Sequence, residues 1–359
     1  MRKIDKKILV INLAGMGDVI LSSVAIKSLA KKFPESELYF LTYSSNAAAV
    51  IGCPYFKEVF FFEKKLTLKV LKTLFKIRGI KFDAVINLYN IHSLAGAIKM
   101  FLLFCLIGAK ETFGRNTNGK GFFYRHKIDE TSDFKKHDVE TMFDVVSLLG
   151  AQEGSGDLEL WVEERNDIFE SFLERYNISA NDAIACIHPG ATRITHRWDS
   201  QNFAKVADKL SEQYGFKIII TGDASEKDLA RRVAEKMKYP VAIAAGEFSL
   251  GDLAVCLRRS KIFITNDTGP MHVANVLDVP LVVISGNSPQ AFFPFRKENT
   301  IVLQKTLKTG VFLNRHQYDL ACLNAITCDD VMRAAMRLVE NNFKIGDHLE
   351  AQLFHTTKS

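Results

Sequence analysis

Short apolar runs alternate with helix-forming segments along most of the chain, and this alternation limits the fold more than any other feature. Such alternation is typical of parallel strands joined by crossover helices. We therefore predict an α/β protein with doubly wound parallel sheets. The predicted strands are Ile8–Leu13, Leu38–Thr42, Glu58–Phe62, Ala84–Leu88, Ala183–Ile187, Lys217–Thr221, Val241–Ala244, Lys261–Thr265 and Leu281–Ser285. The predicted helices are Val19–Lys32, Leu66–Arg78, Leu94–Ile107, Gln201–Tyr214, Ser225–Lys238, Leu250–Arg258 and Pro270–Leu277.

The chain is long enough for two domains. Its 359 residues exceed what one ordinary hydrophobic core holds. Gly150–Asp157, GAQEGSGD, is rich in small and polar residues and is the best linker candidate. After it, the alternation of strands and helices begins again. We place an N-terminal domain at residues 1–160, a C-terminal domain at 161–328 and a helical segment at 329–359.

Composition and charge exclude several classes of protein. The net charge of +6 is modest for a nucleic-acid binder, and it suits anionic ligands or an anionic membrane surface. The longest apolar stretch, Met100–Ala109, is too short to span a bilayer, and the N-terminus lacks a signal-peptide cleavage pattern. We expect a cytoplasmic protein with reduced thiols, without a disulfide framework or a zinc site. The cysteines are Cys53, Cys105, Cys186, Cys256, Cys322 and Cys328.

The loop after the first strand reads NLAGMGDVIL. A dinucleotide-binding loop needs a third glycine, but Ile20 stands where it would follow Gly15 and Gly17. The loop instead presents Asp18 at the carboxyl end of a parallel strand, where ligands bind in open α/β sheets. A helix cap or a helix N-terminal charge also explains Asp18, and both interpretations stay open here.

A basic loop follows the first strand of the second half, in IHPGATRITHRW. Thr192, Arg193, His196 and Arg197 provide a hydroxyl and cations suited to a phosphate group. The alternative is an ordinary solvated basic loop.

Two further loops of the second half also follow strands. Thr268 and Gly269 begin a helix whose free amides form an anion site, and His272 lies one turn further along. Asp267 repels phosphate, so it either orients the loop or contacts a sugar hydroxyl. Glu226 suits the hydroxyls of a ribose or another sugar. The alternatives are a packing histidine for His272 and an ordinary first-turn glutamate for Glu226.

These segments resemble a known family. GMGDVILSSVAIKSLAKKFPESELYFLT, IHPGATRITHRW, TGDASEKDLA and TNDTGPMHVANVLDVPLVVISG are similar to glycosyltransferase family nine, the bacterial lipopolysaccharide heptosyltransferases. The similarity runs from about Lys7 to Leu338. It implies a GT-B fold, with two Rossmann-like domains, an interdomain cleft and a C-terminal helix that crosses back to the first domain.

The resemblance also implies a reaction. Family members transfer a heptose from ADP-L-glycero-D-manno-heptose to Kdo–lipid A or to an inner-core heptose, with inversion and without a metal or another cofactor. The absence of a D-x-D sequence agrees with metal independence. An inverting transfer needs a carboxylate base and cations on the departing diphosphate.

The resemblance assigns roles to individual residues. Asp18 is the expected general base, on an acceptor-side loop with Gly15, Met16 and Gly17. The resemblance aligns the donor-binding residues as follows: Glu226 with the ribose-binding glutamate, Phe248 with an apolar contact to adenine, Asp267 with the heptose-binding aspartate, and Thr268, Gly269 and His272 with pyrophosphate and sugar contacts.

One position departs from the family pattern. Family members commonly have a lysine two residues before the tryptophan that matches Trp198, and this chain has His196 there, followed by Arg197. We expect the phosphate-binding role to have moved to Arg197. The departure leaves open another nucleotide sugar, or an O-antigen or capsule acceptor. Different classes are a non-catalytic sugar-nucleotide-binding protein and an NAD-dependent oxidoreductase; Asp18 argues against the first and Ile20 against the second.

Clustered cations in the first half suit an anionic glycolipid acceptor. Together with the apolar segment Met100–Ile107, they predict peripheral contact with the cytoplasmic face of the inner membrane. The alternative is a solvated helix beside a buried core helix. The cations are Lys64, Lys65, Lys69, Lys72, Lys76, Arg78, Lys81, Lys110, Arg115, Lys120 and Arg125.

Overall fold

A computed structural model describes residues 7–65, 67–151, 157–308 and 314–341. The described residues form two units, divided between Glu163 and Glu164, and Pro289–Phe295 belongs to the first unit. Residues 152–156 of the predicted linker lie outside the described residues, as do residues 342–359 of the predicted C-terminal segment. Residues 328–341 are helical, and their apolar side chains pack in the core of the second unit.

The first unit is built on a parallel sheet of six strands, ordered β3-β2-β1-β4-β5-β6. The apolar runs KILVI and AVIN form the central strands because a parallel sheet is covered on both faces. The strands are β1 (Lys7–Ile11), β2 (Glu37–Tyr43), β3 (Phe56–Phe62), β4 (Ala84–Asn87), β5 (Glu111–Thr117) and β6 (His126–Glu130).

The helices of the first unit are α1 (Met16–Leu21), α2 (Ser23–Lys32), α3 (Leu68–Ile80), α4 (Leu94–Ile107) and α5 (Asp138–Ser147). The predicted helix Val19–Lys32 is wrong in two respects: helix begins at Met16, and it divides at Ser22. The Ser22 hydroxyl donates to the Val19 carbonyl at 2.6 Å, and such local bonds compete with the helical ladder. The predicted helix Leu94–Ile107 is confirmed.

The second unit repeats this architecture. Its six parallel strands are ordered β12-β11-β10-β7-β8-β9. The strands are β7 (Ile184–His188), β8 (Lys217–Ile220), β9 (Val241–Ile243), β10 (Ser260–Asn266), β11 (Leu281–Ser285) and β12 (Thr300–Gln304). Besides the helical residues 328–341, its helices are α6 (Asn166–Arg175), α7 (Ser200–Tyr214), α8 (Lys227–Ala234), α9 (Leu250–Arg259), α10 (Gly269–Val276) and α11 (Arg315–Asn324).

The predicted helix Ser225–Lys238 is also shorter than expected. A 3₁₀ turn at Ala224–Glu226 precedes α8, which ends at Ala234. Glu226 therefore lies in the 3₁₀ turn, where its side chain and that of Asp223 form a reciprocal capping box.

The strand order creates one crevice in each unit. In both sheets the order reverses beside the first strand, between β1 and β4 in one unit and between β7 and β10 in the other. Ligands of open α/β sheets bind outside the carboxyl ends of the strands at such points. The loop with Asp18 follows β1. The loops with the predicted phosphate-binding residues follow β7 and β10.

Candidate active site

Asp18 lies in the first turn of α1, and its carboxylate bonds to its own loop. Oδ2 accepts the Gly15 amide proton at 3.0 Å, and the Asn12 side-chain amide donates to the Asp18 carbonyl at 3.1 Å. The capping interpretation of Asp18 is therefore observed. A Cβ at Gly15 would lie 3.3 Å from Oδ2, so a larger residue there would crowd the carboxylate.

The environment of Asp18 changes its acidity. Burial raises the pKa of this carboxyl to about 6, with a further rise from the Asp138 carboxylate, while the Gly15 amide and Arg115 act in the opposite direction. A carboxylate that titrates close to neutral pH suits proton transfer better than an ordinary aspartate. Helix capping alone does not require the raised pKa. Met16 is partly buried and Gly17 is buried, both in the same helical turn.

In the second unit, Asn266 joins the loops that follow β7 and β10. Its side chain accepts the Trp198 amide proton at 3.0 Å, and it donates to the carbonyls of Pro189 at 2.8 Å and Gly190 at 3.3 Å. Trp198 is fully buried, and its indole donates to the Ile326 carbonyl at 3.0 Å. Both ends of the basic loop are thus fixed to the carboxyl end of β10.

Glu226 lies against the turn that follows β7. Its Oε2 accepts the Asp223 amide proton at 3.0 Å and lies 3.6 Å from His188 Nε2. The residue is only 9% exposed, and burial raises the pKa of its carboxyl. A Cβ at Gly190 would stand 2.1 Å from Oε1 and 2.3 Å from Cδ, so glycine makes this approach possible.

The sequence analysis did not identify His188 as a site residue. Its Nδ1 lies 3.2 Å from the Thr221 hydroxyl oxygen, and burial lowers the pKa of the ring to about 4. The imidazole is therefore neutral at neutral pH, and its contact with Glu226 is a polar contact between a neutral ring and a carboxylate. The sequence did offer one indication of His188 as a site residue, because His188 is the last residue of a buried strand.

The side chains of the basic loop differ in their exposure to solvent. Thr192 and Arg193 are exposed, whereas His196 and Arg197 are partly buried. Arg197 Nε donates to the Ala191 carbonyl at 2.8 Å. Arg197 is also close enough to lower the pKa of the Glu226 carboxyl, although burial is the larger influence on that group.

His196 lies among charges of both signs. Burial is the main cause of its lowered pKa; Arg193 and Arg315 act in the same direction, and Asp267 and Asp319 oppose them. Arg315 and Asp319 belong to α11, which packs against the 3₁₀ turn Ile194–His196. Asp319 is buried, and its Oδ1 has no hydrogen-bond partner within the described residues. Nothing in the sequence around α11 indicated that these residues lie beside the site.

The segment after β10 contains four of the predicted donor residues, Asp267, Thr268, Gly269 and His272. The Ser285 hydroxyl donates to Asp267 Oδ2 at 3.2 Å. Thr268 is the N-cap of α10 but makes no side-chain capping bond, and Gly269 is the first residue of the helix. His272 is buried one turn further along. The start of α10 thus presents backbone amides at the crevice.

Phe248 follows β9 and is partly buried. Its ring packs against Phe172 at a centroid distance of 4.7 Å and against Phe169 at 6.0 Å. The Gly246 amide donates to the Gly222 carbonyl at 2.9 Å, which holds this loop beside the one that carries Glu226. Phe248 and Glu226 therefore follow adjacent strands of one sheet.

A separate cleft of about 470 Å³ opens in the first unit. Its lining includes Asn116, Glu130, Phe134 and Thr141, but not Asp18. Across the described residues, no three His, Cys, Asp or Glu side chains are grouped as metal ligands, and no helix is long and apolar enough to cross a membrane.

The structure corrects the predicted surface of the first unit. Arg115, which we counted with the surface cations, is 1% exposed and paired with Glu130 and Asp138. The predicted apolar segment Met100–Ile107 is divided between two environments. Met100, Phe104 and Ile107 are buried, and the remaining large apolar side chains are exposed in full or in part.

Comparison with known proteins agrees with the two-sheet architecture. The sequence profile described as glycosyltransferase family 9 (heptosyltransferase) matches residues 70–318. Lipopolysaccharide heptosyltransferase 3 of Escherichia coli K12 is 25% identical over 360 residues, with 94% of this chain and 99% of the relative covered.

Two solved structures have the same fold. The glycosyl transferase family 9 protein of Veillonella parvula DSM 2008 superposes with a TM-score of 0.78 at 24% identity, with 95% of this chain and 99% of that chain covered. E. coli heptosyltransferase WaaC with ADP gives a TM-score of 0.68 at 18% identity, with 92% and 99% covered. The fold is therefore GT-B, as the family resemblance implied.

Proposed function

Because the chain belongs to glycosyltransferase family 9, the heptosyltransferases, we propose that it transfers a heptose from ADP-L-glycero-D-manno-heptose to a lipopolysaccharide inner-core acceptor. The acceptor is Kdo–lipid A or a core heptose. The observation that carries the proposal is Asp18, a partly buried carboxylate at the carboxyl end of β1 whose pKa is raised to about 6. E. coli WaaC, a relative of the same fold, was solved with ADP, which supports the choice of nucleotide.

In the proposed reaction, Asp18 acts as the general base. Its carboxylate accepts the proton of the acceptor hydroxyl while that oxygen bonds to the anomeric carbon. The bond between the anomeric carbon and the ADP oxygen breaks, its electron pair leaves with ADP, and the anomeric centre inverts. At pH 7 a carboxyl with a pKa of about 6 is roughly 90% ionised and still close to the pH at which a base is most effective.

The second unit binds the donor in this proposal. Glu226 bonds to the ribose hydroxyls, and Phe248 covers one face of the adenine. Thr268, Gly269 and His272 contact the pyrophosphate and the sugar, where the amides at the start of α10 favour negative charge. Asp267 holds a heptose hydroxyl. The developing charge on ADP is stabilised by the guanidinium groups of Arg193 and Arg197, with Thr192 and His196 as neutral hydrogen-bonding groups. In this proposal the preorganised cations take the place of a metal.

Arg197 is the proposed substitute for the lysine that His196 replaces. Burial keeps the pKa of His196 low, so the ring has little charge at neutral pH, whereas Arg197 stays charged. We expect Arg197→Ala to weaken ADP binding by about tenfold, the effect of one lost charge-assisted contact, measured by isothermal titration calorimetry. His196→Ala is the matched control and should change affinity less. Unchanged ADP affinity in Arg197→Ala would refute this assignment.

The direct test is turnover. The protein is incubated with ADP-heptose and a panel of inner-core acceptors, with and without a chelator, and ADP release and product linkage are measured by mass spectrometry and NMR. We expect release that depends on the acceptor, an inverted anomeric centre and full activity with the chelator. Another nucleotide sugar, or an O-antigen or capsule acceptor, is the second candidate because of His196, and exclusive turnover of those substrates would establish it.

The proposed acceptor is anionic and membrane-held, so we also propose peripheral contact with the cytoplasmic face of the inner membrane. The contact surface is the exposed apolar side of α3 and α4, which pack against each other. Its exposed side chains recur at helical spacing in each helix. They are Leu68, Leu71 and Phe75 on α3 and Leu94, Ile98, Phe101, Leu102 and Leu106 on α4.

Cations border this surface and suit an anionic bilayer. Lys64, Lys65, Lys72 and Lys99 are exposed. Part of the predicted charge is compensated, since Lys69, Lys76, Lys110 and Arg125 lie within ion-pair distance of Glu63, Glu58, Asp83 and Glu111. Each cation that remains near an anionic surface contributes about 1 kcal/mol.

Liposome sedimentation tests this contact. We expect binding to anionic vesicles that weakens with salt, and weaker binding of Leu102→Glu. Ile51→Glu is the matched control, because Ile51 is an exposed apolar residue of the same unit outside these two helices. Equal sedimentation of the two variants would contradict the proposed surface.

A further inference from the structure

A buried ion-pair cluster lies beside the proposed base. Arg115 on β5 donates through Nε and Nη2 to the two carboxylate oxygens of Glu130, each at 2.9 Å, and through Nη1 to Asp138 Oδ1 at 2.5 Å. Arg115 is 1% exposed and Asp138 is 3% exposed. One cation faces two carboxylates, so this group, which we name the Arg115 cluster, carries a net negative charge when all three side chains are ionised. Burial raises the pKa of the Asp138 carboxyl, and the Arg115 guanidinium opposes that rise.

Two elements bring the Arg115 cluster within reach of Asp18. Asp138 is the first residue of α5, which packs against α1, the helix that carries Asp18. Burial is the main cause of the raised pKa of Asp18, and the two charges act on it with opposite signs: the Asp138 carboxylate raises this pKa and the Arg115 guanidinium lowers it. His92, after β4, also responds to both, although burial is the main cause of its lowered pKa.

Among the described residues, two other elements pack closely on α1: the 3₁₀ segment Ser44–Ala49 and α2. The 3₁₀ segment Ser44–Ala49 has no titratable side chain. The cations of α2 are Lys27, which pairs with Glu159 at 2.6 Å, and Lys31 and Lys32, which are exposed in its last turn. Of these elements, α5 is the one that brings a buried charged group, the Arg115 cluster, next to the helix of Asp18.

We propose that Asp138 and Arg115 are positioning residues for the transfer reaction: the buried cluster that they form, held next to α1 by α5, sets the charge around the Asp18 carboxylate. The inference rests on the proposed function of Asp18. A neighbouring negative charge destabilises the ionised form of a carboxylate and so increases its affinity for a proton. The buried cation keeps enough of Asp18 ionised at neutral pH for it to accept one.

The test compares the pH dependence of kcat/KM in two variants that change the charge by one unit in opposite directions. Asp138→Asn removes the negative charge and retains an oxygen that accepts from Arg115. We expect the acidic limb of its kcat/KM profile to move to lower pH by about one unit. Arg115→Gln removes the positive charge, and we expect the acidic limb of its profile to move to higher pH by a similar amount. Shifts in the same direction, or no shift in either variant, would overturn the inference.

A milder variant covers the case in which these two fail to fold. Glu130 is less buried than its partners, with a side chain that is 14% exposed. Glu130→Gln makes the cluster less negative and should move the limb down, and an unmoved limb in this folded variant would overturn the inference. Arg115→Lys keeps the charge without the bidentate contact and should leave the limb in place. A ¹³C titration of the Asp18 carboxyl gives the same information without turnover.

Failure of this inference is distinguishable from failure of the proposed function. If Asp18→Asn abolishes turnover while the cluster variants keep the native acidic limb, only the role of the Arg115 cluster is wrong. If Asp18→Asn retains both turnover and the acidic limb, Asp18 is not the base and the proposed function itself fails.

Discussion

Gly190→Ala tests how closely the turn after β7 approaches Glu226. The new Cβ would lie 2.1 Å from Oε1, 2.3 Å from Cδ and 2.5 Å from Oε2, all of them atoms of the Glu226 side chain. Real Cβ atoms do not approach so closely, so the carboxylate must move. It would then lose its bond from the Asp223 amide at 3.0 Å.

The expected magnitude follows from these contacts. Overpacking costs about 1–3 kcal/mol, and a hydrogen bond to a charged group contributes about 1.5–3 kcal/mol. If Glu226 holds the ribose, its displacement should weaken ADP binding by roughly 10- to 100-fold. Isothermal titration calorimetry with ADP measures this loss.

A double-mutant cycle separates the clash from other effects of the substitution. In a Glu226→Ala background the three nearest atoms are gone, so Gly190→Ala should cost little there. Gly79→Ala is the control for adding a methyl group, since a Cβ at Gly79 meets no atom within 4 Å. Equal costs of Gly190→Ala in the native and Glu226→Ala backgrounds, or an unchanged ADP affinity, would refute the reasoning.

Three further predictions concern the second unit. Asn266→Ala removes one acceptor and two donor contacts to backbone groups, so urea unfolding should show a loss of about 3 kcal/mol; a loss below about 1 kcal/mol would contradict it. His188 stays neutral in the folded state with a pKa of about 4, so its contribution to stability is present above pH 6.5 and is lost as the pH falls towards 4. The native protein should therefore lose up to about 3 kcal/mol more than His188→Gln over this range, and parallel stability curves would refute this. Phe248→Ala should cost about 2 kcal/mol of stability and weaken ADP binding, because it removes the ring packed on Phe172; Phe248→Leu should recover part of the stability.

Central strands were predictable because they are buried on both faces. Each of KILVI, ELYFLTY, IACIH and LVVIS is close to a continuous apolar run, and each forms a strand near the predicted place. β5 and β6 were not predicted because ETFGRNT and HKIDE are largely polar. The charge of Arg115 in β5 is compensated by Glu130 and Asp138, which lie 15 and 23 positions further along the chain. Local sequence contains no trace of such a tertiary pairing.

Site residues were predictable where they follow strands directly. Asp18, Glu226 and Asp267 lie in the segments that follow β1, β8 and β10, and parallel topology brings the last two to one edge of the same sheet. Asp319 was not predictable, because α11 reaches the 3₁₀ turn that holds His196 only through tertiary packing. The raised pKa of Asp18 could not be predicted from the sequence either, since burial is its main cause.

The most direct test of the account is the turnover of Asp18→Asn with ADP-heptose and an inner-core acceptor. Asparagine has nearly the same shape and cannot accept a proton at neutral pH, while the donor residues of the second unit stay unchanged. We expect kcat to fall by about 100- to 10,000-fold, with ADP affinity within about twofold of native. Turnover within about tenfold of native, with ADP still bound, would contradict the role of Asp18 as the general base.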